Sequence, residues 1–137
     1  YSIFHKMKKN KTICIIDDEE INQFILSTII KNLNSEIKIL SFNNGEVALN
    51  SLTQSLVSKE DIPDIILLDI NMPVMGGWQF MDEFVKLQIG KKTAIYIITS
   101  SSSPDDKKKA KTYSDISDFL TRPIATNTLK EIIEKNE

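Results

Sequence analysis

Cysteine is nearly missing from this chain: the single Cys14 excludes an internal disulfide, and it lies inside an apolar run where a thiol acts as a small hydrophobe. A surplus of one charge is missing too. Against 19 acidic residues stand 17 basic ones, leaving a net charge of -2 and no basic footprint for direct nucleic-acid binding. No apolar stretch approaches the roughly 20 residues that a membrane helix needs, and no secretory leader pattern opens the chain. These absences predict a cytoplasmic protein. Glycine is scarce, with four residues, and no G-x-G-x-x-G follows the first apolar run, which argues against a dinucleotide site. A length of 137 residues suits one domain and leaves no room for a separate output domain within it. Tyr1 to Lys6 do not fit the pattern that follows, and Met7 looks like a natural start, so residues 1–10 read as an N-terminal extension or added residues and 11–137 as the domain.

What is present is an alternation of two periodicities. Thr12 to Ile16 is a continuous apolar run rich in β-branched residues, followed by Ile21, Phe24, Ile25, Ile29, Ile30 and Leu33 at helical spacing. Glu36 to Phe42 reads as a second strand, Asn43-Asn44-Gly45 as a turn, and Val47, Ala48, Leu49 and Leu52 as a second helix. Pro63 precedes a third strand, Ile65 to Asp69. Pro73 and Gly76-Gly77 then form a loop into a helix carrying Trp78, Phe80, Met81, Phe84, Val85 and Leu87. Ala94 to Ile98 is a fourth strand, and Ser103-Pro104-Asp105-Asp106 supplies an N-cap residue, a proline at the first helical position and acids in the first turn. Ile116 to Leu120 and a helix with Leu129, Ile132 and Ile133 complete the series. Strands alternating with helices at this spacing predict a parallel α/β sheet covered on both faces.

Acids end two of these strands. Asp17-Asp18 closes the first and Asp69 the third, at the edge of a parallel α/β sheet where ligands bind. Carboxylates converging there repel one another unless a cation sits between them, and oxygen ligands with few protein carboxylates suit Mg2+. Such a site can align a phosphoryl group for attack by Asp69 as a covalent nucleophile. The hydroxyl and the fixed cation that this transfer also needs are available in Thr99, at the end of the fourth strand, and Arg122, after the fifth.

Four motifs stand in order: Ile-Asp-Asp-Glu, Leu-Leu-Asp-Ile-Asn-Met-Pro-Val-Met-Gly-Gly, Ile-Thr-Ser-Ser and Asp-Phe-Leu-Thr-Arg-Pro-Ile. With these the chain resembles the receiver domain of a two-component response regulator, from about Lys11 to its end. The resemblance implies a flavodoxin-like doubly wound (βα)5 fold with sheet order 2-1-3-4-5. It implies that Asp69 takes phosphate from a histidine kinase or phosphotransfer protein. Mg2+ would be held by the side chains of Asp18 and Asp69, by the backbone carbonyl of Asn71, and by Asp17 largely through water. Thr99 would bond a phosphoryl oxygen, and Phe119 would change rotamer with it, switching a face made by the fourth helix, fifth strand and fifth helix for a downstream protein. Implied too are a cis Arg122-Pro123 peptide bond, and places beside the hydrolytic water for Asn71 and Ser101. The expected domain does no chemistry beyond its own phosphorylation and dephosphorylation, as a monomer or a phosphorylation-dependent dimer. One departure stands out. The family's lysine before that proline is Arg122 here, and a longer, planar guanidinium need not follow the lysine's path.

Plainer readings exist for each residue. Asp17-Asp18 could simply cap the first helix, worth about 1 kcal/mol. Thr99 could be a strand residue, Phe119, Trp78, Phe80 and Phe84 core, and Arg122 a solvated cation turned outward. Lys107-Lys108-Lys109 with Lys111 reads as a solvated basic face or as a dock for an acidic partner. His5 falls in the N-terminal segment set aside above. Three other functions share parts of the pattern. A haloacid dehalogenase-type phosphatase also uses an aspartyl nucleophile but places D-x-D after its first strand. A flavin module is opposed by the acidic first turn. A phosphate-independent docking domain would keep the fold and lose the chemistry.

Overall fold

Five short runs of mostly β-branched and aliphatic residues form the strands of one parallel sheet in the order β2-β1-β3-β4-β5. The computed structural model describes residues 11–89, 93–100 and 103–136. The extension, His5 and Ser101 considered above lie outside them. The strands are β1 (Thr12–Ile16), β2 (Lys38–Phe42), β3 (Ile65–Asp69), β4 (Ala94–Thr99) and β5 (Ile116–Thr121). Between and after them come α1 (Glu20–Leu33), α2 (Gly45–Ser58), α3 (Gly77–Lys86), α4 (Pro104–Ala110) and α5 (Thr126–Lys135). This is the covered parallel sheet that the alternation predicted, in the doubly wound (βα)5 order that the resemblance implied.

β1, β3 and β4 are buried at every position, which is why they read as unbroken apolar runs. Their two-residue period divides them between two cores. Ile13, Ile15, Ile65, Leu67, Tyr96 and Ile98 face α1 and α5, meeting Leu26, Ile30, Leu129, Ile132 and Ile133. Cys14, Ile16, Ile66, Leu68, Ile95 and Ile97 face α2 and α3, meeting Ala48, Leu52, Phe80, Met81 and Phe84. The Cys14 thiol is fully enclosed, and burial pushes its pKa well above the usual range, so it packs and does not react.

The packed face of α1 differs from the expected one. Leu26 and Ile30 are buried, with Ile29 and Leu33 packed against them, whereas Ile21, Phe24 and Ile25 are 61%, 67% and 48% exposed. At 3.6 residues per turn the apolar residues of α1 cover too wide an arc for one contact, and the sheet takes only the half centred near Ile30. Val47 and Val85 are likewise exposed on α2 and α3.

α4 is only seven residues long and buries a single side chain, Ala110. An aromatic strap ties it to α3. Trp78 stacks on Tyr113 with ring centroids 5.8 Å apart, Lys109 lies 5.5 Å from the centre of the Trp78 ring, and the Tyr113 hydroxyl donates to Asp82 at 2.6 Å. Trp78 Nε1 also donates to Asp106 at 3.3 Å.

Gly77 belongs to the first turn of α3, not to the preceding loop, and a close approach makes it glycine. A Cβ there would stand 2.6 Å from the Ile70 Cα and 3.0 Å from the Asp69 carbonyl oxygen. Gly77→Ala is expected to destabilise by about 1–3 kcal/mol, the usual cost of forcing extra atoms into a filled space. Urea unfolding checks this, and a midpoint unchanged from wild type would show that the β3–α3 turn yields without cost.

Candidate functional site

The sheet order sets β1 beside β3 with Ile16 paired to Leu68, so the next residue on each strand is an acid and the two acids are neighbours. Asp17 and Asp69 are 1% and 6% exposed. Asp18 is half-buried beside them. One carboxylate oxygen from each of Asp17, Asp18 and Asp69 lies within 4.8 Å of the others.

Short turns aim these groups. Asp17 Oδ1 accepts from the Glu19 N–H at 2.9 Å, and Asp69 Oδ1 accepts from the Asn71 N–H at 3.0 Å, so each acid steadies its own turn two residues on. Gln23 rivets the first turn from α1, its amide donating to the Asp17 carbonyl at 2.7 Å and to the Phe42 carbonyl at 3.2 Å. Sequence reasoning missed Gln23, whose only signal is a polar residue one turn into an apolar helix. The capping reading of Asp17 does not describe the turn: the N-cap position is Glu19, with no side-chain cap bond.

The later strands complete the rim. Thr99 is fully buried at the end of β4, and its carbonyl accepts from the Arg122 N–H at 2.8 Å. The Asn71 side-chain amide lies 3.4 Å from the Thr99 hydroxyl, at the outer limit of a hydrogen bond. The Arg122-Pro123 peptide bond is cis, as expected. Arg122 does not turn outward: its guanidinium donates through Nη2 to Asp17 Oδ2. Phe119 instead lines a groove of roughly 400 Å³ between α4 and β5 with Lys107, Ala110, Lys111 and Ile116. Its ring also packs against the core under α2 and α3.

Burial raises the pKa of Asp69 to about 6, and the charge of Asp17 adds to the rise, while the Asn71 N–H and Arg122 oppose it. Asp17 is raised as well, first by burial, against the Glu19 N–H and Arg122. Charged carboxylates held this close in a poorly hydrated place cost energy that a hard divalent cation would offset, and an all-oxygen donor set of this kind fits Mg2+. The structure thus brings Asp17, Asp18, Asp69 and Arg122 together, with Thr99 and Asn71 adjoining. Phe119 belongs to the neighbouring groove.

Among the described residues no helix is long and apolar enough to cross a membrane. Residues 13–134 match the family model of the response regulator receiver domain. A two-component response regulator from Cytophaga hutchinsonii is similar in structure, with a TM-score of 0.81 and 30% identity over 94% of this chain and 98% of that one. The chemotaxis protein CheY4 of Vibrio cholerae shares the fold at a TM-score of 0.79 and 22% identity, over 94% of this chain and all of that one. In sequence the chain is 27% identical to the sensor histidine kinase CheAY of Helicobacter pylori and 32% to the hybrid signal transduction histidine kinase L of Dictyostelium discoideum, over 90% of its own length in each case. It spans only 15% and 7% of those proteins. With the sheet order, the acid cluster and the family match agreeing, the chain belongs to the response regulator receiver domains of two-component signalling.

Proposed function

We propose that this domain relays a signal by accepting a phosphoryl group on Asp69 from a histidine kinase or a histidine phosphotransfer protein, in the cytoplasm. The observation that carries the reading is the gathering of Asp17, Asp18 and Asp69 within 4.8 Å at the sheet edge, with Arg122 and Thr99 beside them. Asp17, Asp18, Asp69 and Asn71 would hold Mg2+, which would supply charge neutralisation of the phosphoryl oxygens. A carboxylate oxygen of Asp69 forms the new bond to phosphorus as the bond from phosphorus to the donor's imidazole nitrogen breaks, and the released nitrogen takes a proton. Thr99 and Arg122 hold phosphoryl oxygens. Phe119 follows Thr99, biasing the face of α4, β5 and α5 that a downstream protein reads. Exposed Ile21, Phe24 and Ile25, a turn beyond Asp18, offer the donor protein an apolar contact on its way to the acids. The domain acts on itself and turns over no separate substrate.

A second reading, a docking domain independent of phosphate, is favoured by one observation: Arg122 already balances Asp17, so the site can persist closed. Acetyl phosphate with Mg2+ separates the two. Wild type is expected to gain one phosphoryl group by mass spectrometry, and Asp69→Asn none. Labelling of the variant at the wild-type level would show that the acceptor is another residue, and an unlabelled wild type would select the second reading.

The raised pKa of Asp69 also sets a pH dependence. The folded protein keeps this proton up to about pH 6, whereas an unfolded chain loses it near the ordinary 3.8, so stability present below 3.8 is lost as pH rises through about 6. In chelator at pH 7, Asp69→Asn should therefore be more stable than wild type by up to about 3 kcal/mol, the worth of a pKa moved from 3.8 to about 6, or several degrees in Tm. The advantage should shrink as pH falls from about 6 toward 3.8 and be gone below it. Thermal melts across this range check it, and an Asp69→Asn protein less stable than wild type at pH 7 contradicts it.

A further inference from the structure

We propose that Arg122 is the resting counter-ion of the acid cluster: it occupies Asp17 in competition with the divalent cation, so that metal entry and release of the guanidinium toward the phosphoryl position are one coupled event. This rests on the reading that Asp17, Asp18 and Asp69 take Mg2+.

Both oxygens of Asp17 are engaged. Oδ1 is held by the Glu19 N–H at 2.9 Å, and Oδ2 receives Nη2 of Arg122. The pair is sheltered, with side-chain exposures of 19% for Arg122 and 1% for Asp17, so water screens it weakly. The arginine stem is anchored as well, because its N–H donates to the Thr99 carbonyl at 2.8 Å. The side chain is thus rooted between the strand ends and reaches across to β1 from the far side of the site. A guanidinium suits this task, since its charge is permanent and its planar fork matches a carboxylate, whereas a lysine ammonium is a compact, strongly hydrated point charge on a thinner stem. A cation using Asp17 must break or share that pair, and its two charges then repel the guanidinium beside it. Any free energy lost in parting Arg122 from Asp17 is subtracted from metal affinity. Any gained when Arg122 finds phosphoryl oxygens returns only after transfer. The arrangement therefore weakens metal binding in the unphosphorylated domain and strengthens it in the phosphorylated one.

Arg122 is the only arginine in the chain, so its side-chain N–H signals can be assigned without ambiguity in a nitrogen-15 NMR spectrum. The test titrates the full chain with Mg2+ alone, without a phosphodonor, by calorimetry and by NMR. Arg122→Met keeps the stem and removes the charge, and Arg122→Lys keeps the charge with a different reach. We expect Arg122→Met to bind Mg2+ about tenfold more tightly than wild type, a change of about 1.4 kcal/mol, with Arg122→Lys between them. Should Arg122→Met fold poorly, Arg122→Lys and the wild-type NMR titration still decide the matter. In wild type the Arg122 signals are expected to shift with the calorimetric midpoint. Equal or weaker affinity in both variants, or Arg122 signals unmoved at saturating Mg2+, overturns the proposal while the metal reading stands. If none of the three proteins binds Mg2+, the metal reading itself falls and takes this inference with it.

Discussion

The burial of two carboxylates at the ends of adjacent parallel strands is the constraint on which the rest of the structure turns. Asp17 and Asp69 leave water because β1 and β3 are central strands, covered on both faces. Placed there they repel each other, and burial, with the charge of Asp17 adding to it, holds Asp69 protonated to about pH 6. Each neighbouring feature answers that cost. The Glu19 and Asn71 N–H groups give each acid a fixed donor, Gln23 locks the first turn, and Arg122 brings a compensating charge from β5.

A site so demanding needs a rigid platform, and the two cores supply it. Alternate residues of β1, β3 and β4 are clamped between α1 and α5 on one side and α2 and α3 on the other, so a shift of either strand end would disturb both layers. Gly77 brings the start of α3 against Ile70 and the Asp69 carbonyl, closing the turn behind Asp69.

The side of α4 and β5 is built differently. α4 buries one side chain in the core and leans on α3 through Trp78, Tyr113, Asp82, Asp106 and Lys109, contacts that are aromatic and polar and lie near the surface. Between α4 and β5 the groove lined by Phe119 leaves room for a ring to move. A firmly packed acid site thus adjoins a lightly attached helix.

Much of this could be read from residues alone. The two periodicities marked the strands and every helix but α4, which Pro104 and the acids after it announced, and acids at strand ends together with four ordered motifs pointed to the family and to Asp17, Asp18, Asp69, Thr99 and Arg122. Such signals are local: a side chain's face alternates with the backbone, and a turn follows from its own residues. What depends on distant parts of the chain had to wait for the fold. Periodicity could not say which half of α1 packs, because Ile21, Phe24 and Ile25 are as apolar as Leu26 and Ile30, and only the approach of α5 and the sheet chooses between them. Nor could it say that Arg122 meets Asp17 or that Trp78 meets Tyr113, because those partners stand far apart in sequence and come together only once the strands are ordered and the helices laid over them.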